Sequence, residues 1–283
     1  MRPEYGGGDH EMPDPADSSE AHDRRRVTDT FTAAAARASA QEVPALLCRA
    51  CTDLLPVSGA SISIAAAGSS VRALWCASDR TAARLAEAQY TLGDGPCQNA
   101  LDRVAPVLAA DLTQGPDARR WPVFAQQALA LGVRAVFSLP LGTSVLAVGT
   151  LDLYRDTTGP LSDRDLRLAL LTRDAVTFAV LNLHSGGDGH DRANGAGVAS
   201  WVDAAEADHT EVHQAVGMVM VQLGVDPQQA LDRLRARAFT QGRTVTEVAQ
   251  DVLARVLRFR PEADDASQDH GRLGGDEGDG DRS

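Results

Sequence analysis

The sequence predicts an α+β domain followed by a separate all-α three-helix bundle. Three observations predict it. Strand-like alternation at residues 60–65 and 133–154 is interleaved with stretches of helical periodicity. Three helix stops and capping signals fall within residues 201–260. A Gly- and Asp-rich stretch from Ser185 to Ser200 separates the two patterns and reads as a flexible linker. The chain thus divides into a disordered N-terminus (1–26), a first domain (27–184), the linker (185–200), the bundle (201–260) and an acidic tail (261–283).

Within the first domain, residues 33–55 read as a helix with Leu47, Cys51, Leu54 and Leu55 on one face. Ala60 to Ala65 alternates as a half-buried strand does, and Val71 to Ala77 is its partner. Arg80 to Gln89 is an amphipathic helix, and the Gly-rich turn around Gly93 and Gly95 opens a short second one. Val107 to Ala110 reads as a strand and Pro122 to Leu131 as a helix. Val133 to Leu141 and Val145 to Tyr154 are strands, broken at Pro140 and Gly142. Ser162 is the N-cap of a long helix to about Leu183, with Asp165 in its first turn. Hairpin-spaced strands flanked by helices imply a mainly antiparallel sheet.

The bundle is bounded more sharply. Its first helix runs from about Val202 to Leu223 and stops at Gly224. Asp226, Pro227 and Gln229 form an N-cap, a proline at N1 and a glutamine at N3. That helix stops at Gly242, and Thr244 with Glu247 opens a third, to about Arg258. Val212 and Val219 lie at helical spacing and are read as a seam for a homodimer.

Composition narrows the function. The 43% hydrophobic content supports real cores. The net charge of −12 argues against a non-specific nucleic-acid coat, and all 27 cations are arginine. Against that background, residues 227–260 hold seven arginines and three acids. Six of them, Arg233, Arg235, Arg237, Arg243, Arg255 and Arg258, are candidate RNA contacts, since the guanidinium fork grips phosphate and stacks on unpaired bases. The plainer reading is a solvated helix surface. DNA reading by a helix-turn-helix fits less well, because the third helix would lead with Glu247.

Residues 1–26 lack the apolar core of a secretory signal, so a cytoplasmic protein with four reduced cysteines is expected. The uncharged run 135–151 is two strands and not a membrane span. Cys48 and Cys51 supply only half a zinc site and read as core residues. His209 and His213 lack the register of a metalloprotease helix, and no metal or cofactor is implied. Cys97, after a Gly-rich turn and near a helix start, is where a reactive thiol would sit. No nucleophile–base arrangement emerges, so no enzyme is expected.

Two resemblances then enter. The segment from Ala215 to Met220, the run Ala230 to Ala238, and Val248 with Ala249 resemble the ANTAR domain. That resemblance implies binding to paired RNA hairpins and control of transcription termination. Many relatives carry a basic residue where this chain has Val216 and an aromatic where it has Leu231. The first domain resembles the GAF domains placed ahead of ANTAR in actinobacterial regulators, on Gln89 to Cys97, Asp111–Leu112, Trp121–Pro122 and Leu151 to Arg155. It implies a pocket for an unidentified small molecule, with Trp75, Cys97, Trp121 and Tyr154 as candidate lining. The Asn-Lys motif of cyclic-nucleotide GAF domains requires a lysine that this chain lacks. The implied whole is a dimeric, signal-responsive antiterminator; the alternative is a GAF-type sensor whose bundle mediates dimerisation or protein contact without RNA.

Overall fold

The computed structural model describes residues 15–36, 42–65, 72–143, 147–185 and 211–260. Two helices come first, α1 (Pro15–Ala36) and α2 (Val43–Leu54). Strands β1 (Gly59–Ala65) and β2 (Arg72–Ala77) follow, then α3 (Arg80–Leu92), α4 (Pro96–Arg103) and β3 (Val107–Ala109). Next are α5 (Gly115–Arg120), α6 (Pro122–Ala130), β4 (Ala135–Gly142), β5 (Ala147–Arg155) and α7 (Asp163–Ser185). The bundle comprises α8 (211–223), α9 (Pro227–Gln241) and α10 (Val245–Leu253).

The five strands form one sheet in the order β2-β1-β5-β4-β3, antiparallel throughout. Because side chains alternate across a strand, the register assigns each residue to a face. Ile62, Ile64, Phe137, Leu139, Leu151 and Leu153 share one face and pack under α1, α2 and α7 in the main core. The opposite face is covered by α3, α4 and α6, where Leu85, Ala100, Phe124, Val136 and Tyr154 form a second core. The predicted α+β class and antiparallel sheet are therefore present, with helices on both faces.

Three expectations need correction. Residues 15–26 lie within helix α1, where composition pointed to disorder. Among the described side chains of that helix only Val27 and Phe31 enter the core, so its sequence carries little helical patterning. Asp23 is buried and accepts a hydrogen bond from Arg164 of α7 at 3.0 Å, tying the helix down. Second, the four cysteines are not all reduced, because a disulfide joins Cys48 to Cys76. The inward face of α2 packs on the inward face of β2, and this brings the two Cα atoms to 6.4 Å. Third, Val212 and Val219 are fully buried in the bundle and do not form an exposed seam. The spacing that suits a dimer seam equally suits the inner face of a three-helix bundle. The remaining N-terminal residues, the linker and the acidic tail lie outside the described residues.

The bundle is closed by local signals. The side chain of Asp226 accepts from Gln229 N–H and Gln229 bonds back, with Pro227 at N1 and Gly242 at φ +63° after the last turn. Thr244 and Glu247 form the same reciprocal box on α10. The third helix ends at Leu253, earlier than its sequence suggests, because Arg255 adopts φ +59°. Among the described residues no helix is long and apolar enough to cross a membrane.

Candidate nucleic-acid interface

Helix α9 turns Ala230, Leu231, Leu234 and Ala238 into the bundle, where they meet Val212, Val216 and Val219 of α8 and Val245, Val248 and Val252 of α10. That burial leaves the intervening arginines outside. Arg233 and Arg237 are exposed one turn apart, and Arg255 and Arg258 are exposed beyond α10. Val216 and Leu231, the positions for which the ANTAR resemblance implies a cation and an aromatic, belong to the bundle core.

The other two candidate arginines are engaged within the chain. Arg243 Nη1 lies 2.6 Å from Asp251 Oδ2, and its Nη2 donates to the Glu247 carbonyl at 3.0 Å. The adjacent carboxylate raises its pKa further. It therefore braces the start of α10. Arg235 leaves the bundle altogether. Its Nε–H donates to the carbonyl oxygen of Tyr90 in α3 at 3.1 Å, and its guanidinium lies 5.6 Å from the Tyr90 ring. Tyr90 is buried and packs in the bundle cluster.

This contact has a local cause at each end. The last carbonyls of a helix have no helical partner and carry its negative dipole end, so a guanidinium there is favoured. Gly93 closes α3 at φ +63°, and a Cβ at that position would lie only 3.0–3.2 Å from the Arg235 guanidinium. The first amide of α10, Val245 N–H, donates across the contact to Thr91 Oγ1 at 3.2 Å. Thr246 Oγ1 donates to Glu87 Oε1 at 3.3 Å. Glu87 is half-buried, and its pKa is raised chiefly by that burial, with Glu247 adding to the effect and the two threonine hydroxyls opposing it. One face of the bundle is thus docked on the end of α3.

The predicted ligand-pocket residues divide. Trp121 and Tyr154 share the second core, but Trp75 packs against the main core on the other side of the sheet. The Tyr154 hydroxyl donates to Asp79 Oδ1 at 3.1 Å; burial and the neighbouring Asp79 push its pKa up to about 12. Cys97 is buried at the start of α4, and its N–H donates to Gln89 Oε1 at 2.9 Å. Sequence reasoning missed a buried polar row on the sheet face beneath α3 and α4. Ser61, Ser63, Ser138, Thr150 and Asp152 point there in register, and Ser138 Oγ has no hydrogen-bond partner among the described residues. The signal was present as alternating Ser, Thr and Asp, but alternation alone cannot tell a solvated face from a covered one.

A family model, the ANTAR domain, matches residues 202–253. No curated protein matches the chain. Among solved structures, the chain is similar to the GAF domain of a phosphoenolpyruvate-protein phosphotransferase from Coxiella burnetii, at 13% identity and TM-score 0.45, covering 60% of this chain and 97% of that one. It is also similar to the GAF domain of the Acinetobacter phosphoenolpyruvate-protein phosphotransferase, at 10% identity and TM-score 0.44, over 59% and 96% of the two chains. A free methionine-R-sulfoxide reductase from Neisseria meningitidis matches at 16% identity and TM-score 0.39, over 56% and 90%.

Proposed function

We propose that this chain is a signal-responsive RNA-binding regulator that acts as a transcription antiterminator. Helices α8–α10 grip RNA hairpins, and the GAF-type unit gates them. It acts in the cytoplasm, as a homodimer and by binding without catalysis. The observation that carries the reading is the division of the bundle's arginines: Arg233, Arg237, Arg255 and Arg258 are exposed, while Arg235 is held on the Tyr90 carbonyl. The contact occupies Arg235, on the side of α9 opposite Arg233 and Arg237, so movement of α3 alters how many of the bundle's cations RNA can reach. The buried polar row under α3 and α4 suits a small ligand that forms hydrogen bonds. Such a ligand shifts the docked equilibrium only by binding the docked and undocked states with different affinity.

The dimer contact belongs on the outward face of α8, where Val221 is 87% exposed. Two bundles so paired offer two arginine faces, as a two-hairpin RNA requires.

The test is fluorescence anisotropy of the full chain with a two-hairpin RNA, a single hairpin and a DNA duplex, each at two salt concentrations. Preference for the paired hairpins is expected. The double variant Arg233→Gln/Arg237→Gln should lower the salt-dependence slope by about two, roughly one per lost phosphate contact. Equal weak binding to all three probes, unchanged in the variant, would instead make the bundle a dimerisation or protein-contact module.

A further inference from the structure

The disulfide between Cys48 of α2 and Cys76 of β2 lies inside the main core, which also holds Cys51. We infer that this pair is a reversible redox site, closed by a peroxide and opened by a protein dithiol, and that its state sets how firmly the bundle docks on α3. The inference rests on the cytoplasmic, gated reading above and deepens it. A disulfide that forms in a reducing compartment is typically transient and redox-sensing, whereas structural ones belong to oxidising compartments and to domains too small for a core. Here the bond is set among the buried residues of the larger core, and two thiols in its place pack as small apolar groups. The fold therefore stands with the pair open or closed.

The position of the bond connects it to the docking contact. Strand β2 is an edge strand that pairs, among the described residues, with β1 alone. Alternation would send Trp75 and Cys76 to opposite faces, yet both meet the main core. The cause is a bulge: Ile62 stands opposite Cys76 and Ser63 opposite Leu74, so Trp75 is the extra residue. The ladder is interrupted next to Cys76, and the bond to α2 holds the strand there. Three residues on, Asp79 caps α3 by accepting from Ala82 N–H at 2.9 Å, and it also accepts from the Tyr154 hydroxyl at 3.1 Å. That start is a pivot. Helix α3 has 13 residues, a rod of roughly 20 Å, and its far end carries the Tyr90 carbonyl and the Thr91 hydroxyl that hold Arg235 and Val245. A change in the path of β2 tilts the rod about the pivot and is felt where the bundle docks.

The chemistry balances in both directions. Cys76, on the edge strand, is 8% exposed and Cys48 is fully buried, so Cys76 is the sulfur that meets a reagent. In closing, the Cys76 thiolate takes one oxygen from the peroxide, which leaves as water or an alcohol, and becomes a sulfenic acid. The Cys48 sulfur then attacks it, the S–S bond forms and water departs. In opening, one thiol of the dithiol attacks Cys76, the S–S bond breaks, and Cys48 leaves as a thiolate that takes up a proton. The second thiol displaces Cys76, and the reductant departs as its own disulfide. Each direction moves two electrons. Cys51 lies one turn along α2 from Cys48, and burial pushes its thiol up to about 12, so it stays protonated and outside the exchange.

The experiment uses the full chain, equilibrated in glutathione buffers of graded reducing strength, quenched with acid, denatured and labelled with a maleimide that adds mass at each thiol. One two-thiol transition is expected within the glutathione poise of a cytoplasm, and hydrogen peroxide should close the pair again over repeated cycles. Opening should lower the hydrogen-exchange protection of the Val245 amide, which donates across the docking contact, and tighten two-hairpin RNA binding by a similar factor. That factor should lie between roughly 5 and 150, the range of coupling between sites, and RNA should in turn ease the opening by as much, because linkage is reciprocal. Cys76→Ala should behave as the opened parent in every buffer. Cys51→Ala leaves a similar vacancy in the same core but keeps the pair, and should behave as the parent. If the pair stays closed throughout that poise, or peroxide fails to close it again, the bond is no switch and the inference falls while RNA binding stands. It falls equally if opening leaves the Val245 protection unchanged, or if Cys51→Ala lowers that protection as much as Cys76→Ala. If no hairpin RNA binds but opening still lowers the protection, redox control of docking holds and the RNA-binding reading alone fails.

Discussion

Single residues decide two features that composition cannot. Gly149 pairs with Ile64 in the sheet, and a Cβ there would lie 2.2 Å from the Ser63 carbonyl oxygen and 3.1 Å from Ile64 Cα. Both obstacles are backbone, so neither can swing aside. Gly149→Ala should therefore push β5 from β1 and cost about 1–3 kcal/mol, as overpacking does, read as a lowered urea midpoint at unchanged slope. Cys97 is the second case. From sequence its place after a Gly-rich turn suggested reactivity, but the side chain is only 3% exposed. Cys51 is fully buried, and burial pushes its thiol up to about 12. Both thiols should resist iodoacetamide in the folded protein and react readily once denatured. Equal rates for Cys97 in the two states would contradict its burial. Arg235 shows the same limit on sequence reading: its charge and spacing match those of Arg233 and Arg237, and only the position of α3 sets it apart.

At the scale of elements, legibility follows how local the determinant is. The boundaries of α9 and the start of α10 were readable because a capping box and a following glycine act within one turn. Thr244 accepts from Glu247 N–H at 3.2 Å and Asp226 from Gln229 N–H at 2.9 Å. Replacing either by alanine should cost about 0.5–2 kcal/mol. The Thr244 change should also loosen the first turn of α10, the turn that meets α3. Equal destabilisation with intact protection of that turn would mean that docking and not the cap orders it. Helix α1 was unreadable for the opposite reason. Its support comes from α2 and from α7, the latter through the buried carboxyl of Asp23, which the Arg164 guanidinium holds below the usual carboxylate range. A contact between residues so far apart in the chain leaves no periodic trace. The strands were legible by alternation and the β1–β2 and β4–β5 hairpins by spacing, whereas the β1–β5 pairing and the sheet face that lies under α4 depend on tertiary packing.

For the whole molecule, the contact between the end of α3 and the bundle ties proton binding to the exposure of the arginine face. Glu87 in the docked arrangement, with Thr246 and Glu247 of α10 beside it, has a pKa above its ordinary 4.5, mainly because it is buried. The docked state therefore holds this proton more tightly than an undocked state with Glu87 in water. Linkage then fixes the sign. The stabilisation is complete below 4.5 and is lost as pH rises through the raised value, so acidification across that window tightens docking. Docking occupies Arg235, and so this term weakens RNA binding on acidification. A simple charge argument gives the opposite sign, because an acidic chain of net charge −12 repels phosphate less as it is protonated. The Val245 amide separates the two. It stands at the first position of α10, has no partner within the helix, and donates to Thr91 across the contact. Its hydrogen-exchange protection factor consequently reports docking itself. That factor should rise as pH falls through the window in the parent. In Glu87→Gln, where the side chain is neutral at every pH, it should already be high at neutral pH and should not change. A parent protection factor independent of pH, or one equal to the variant's at pH 7, would show that Glu87 does not set the docking equilibrium.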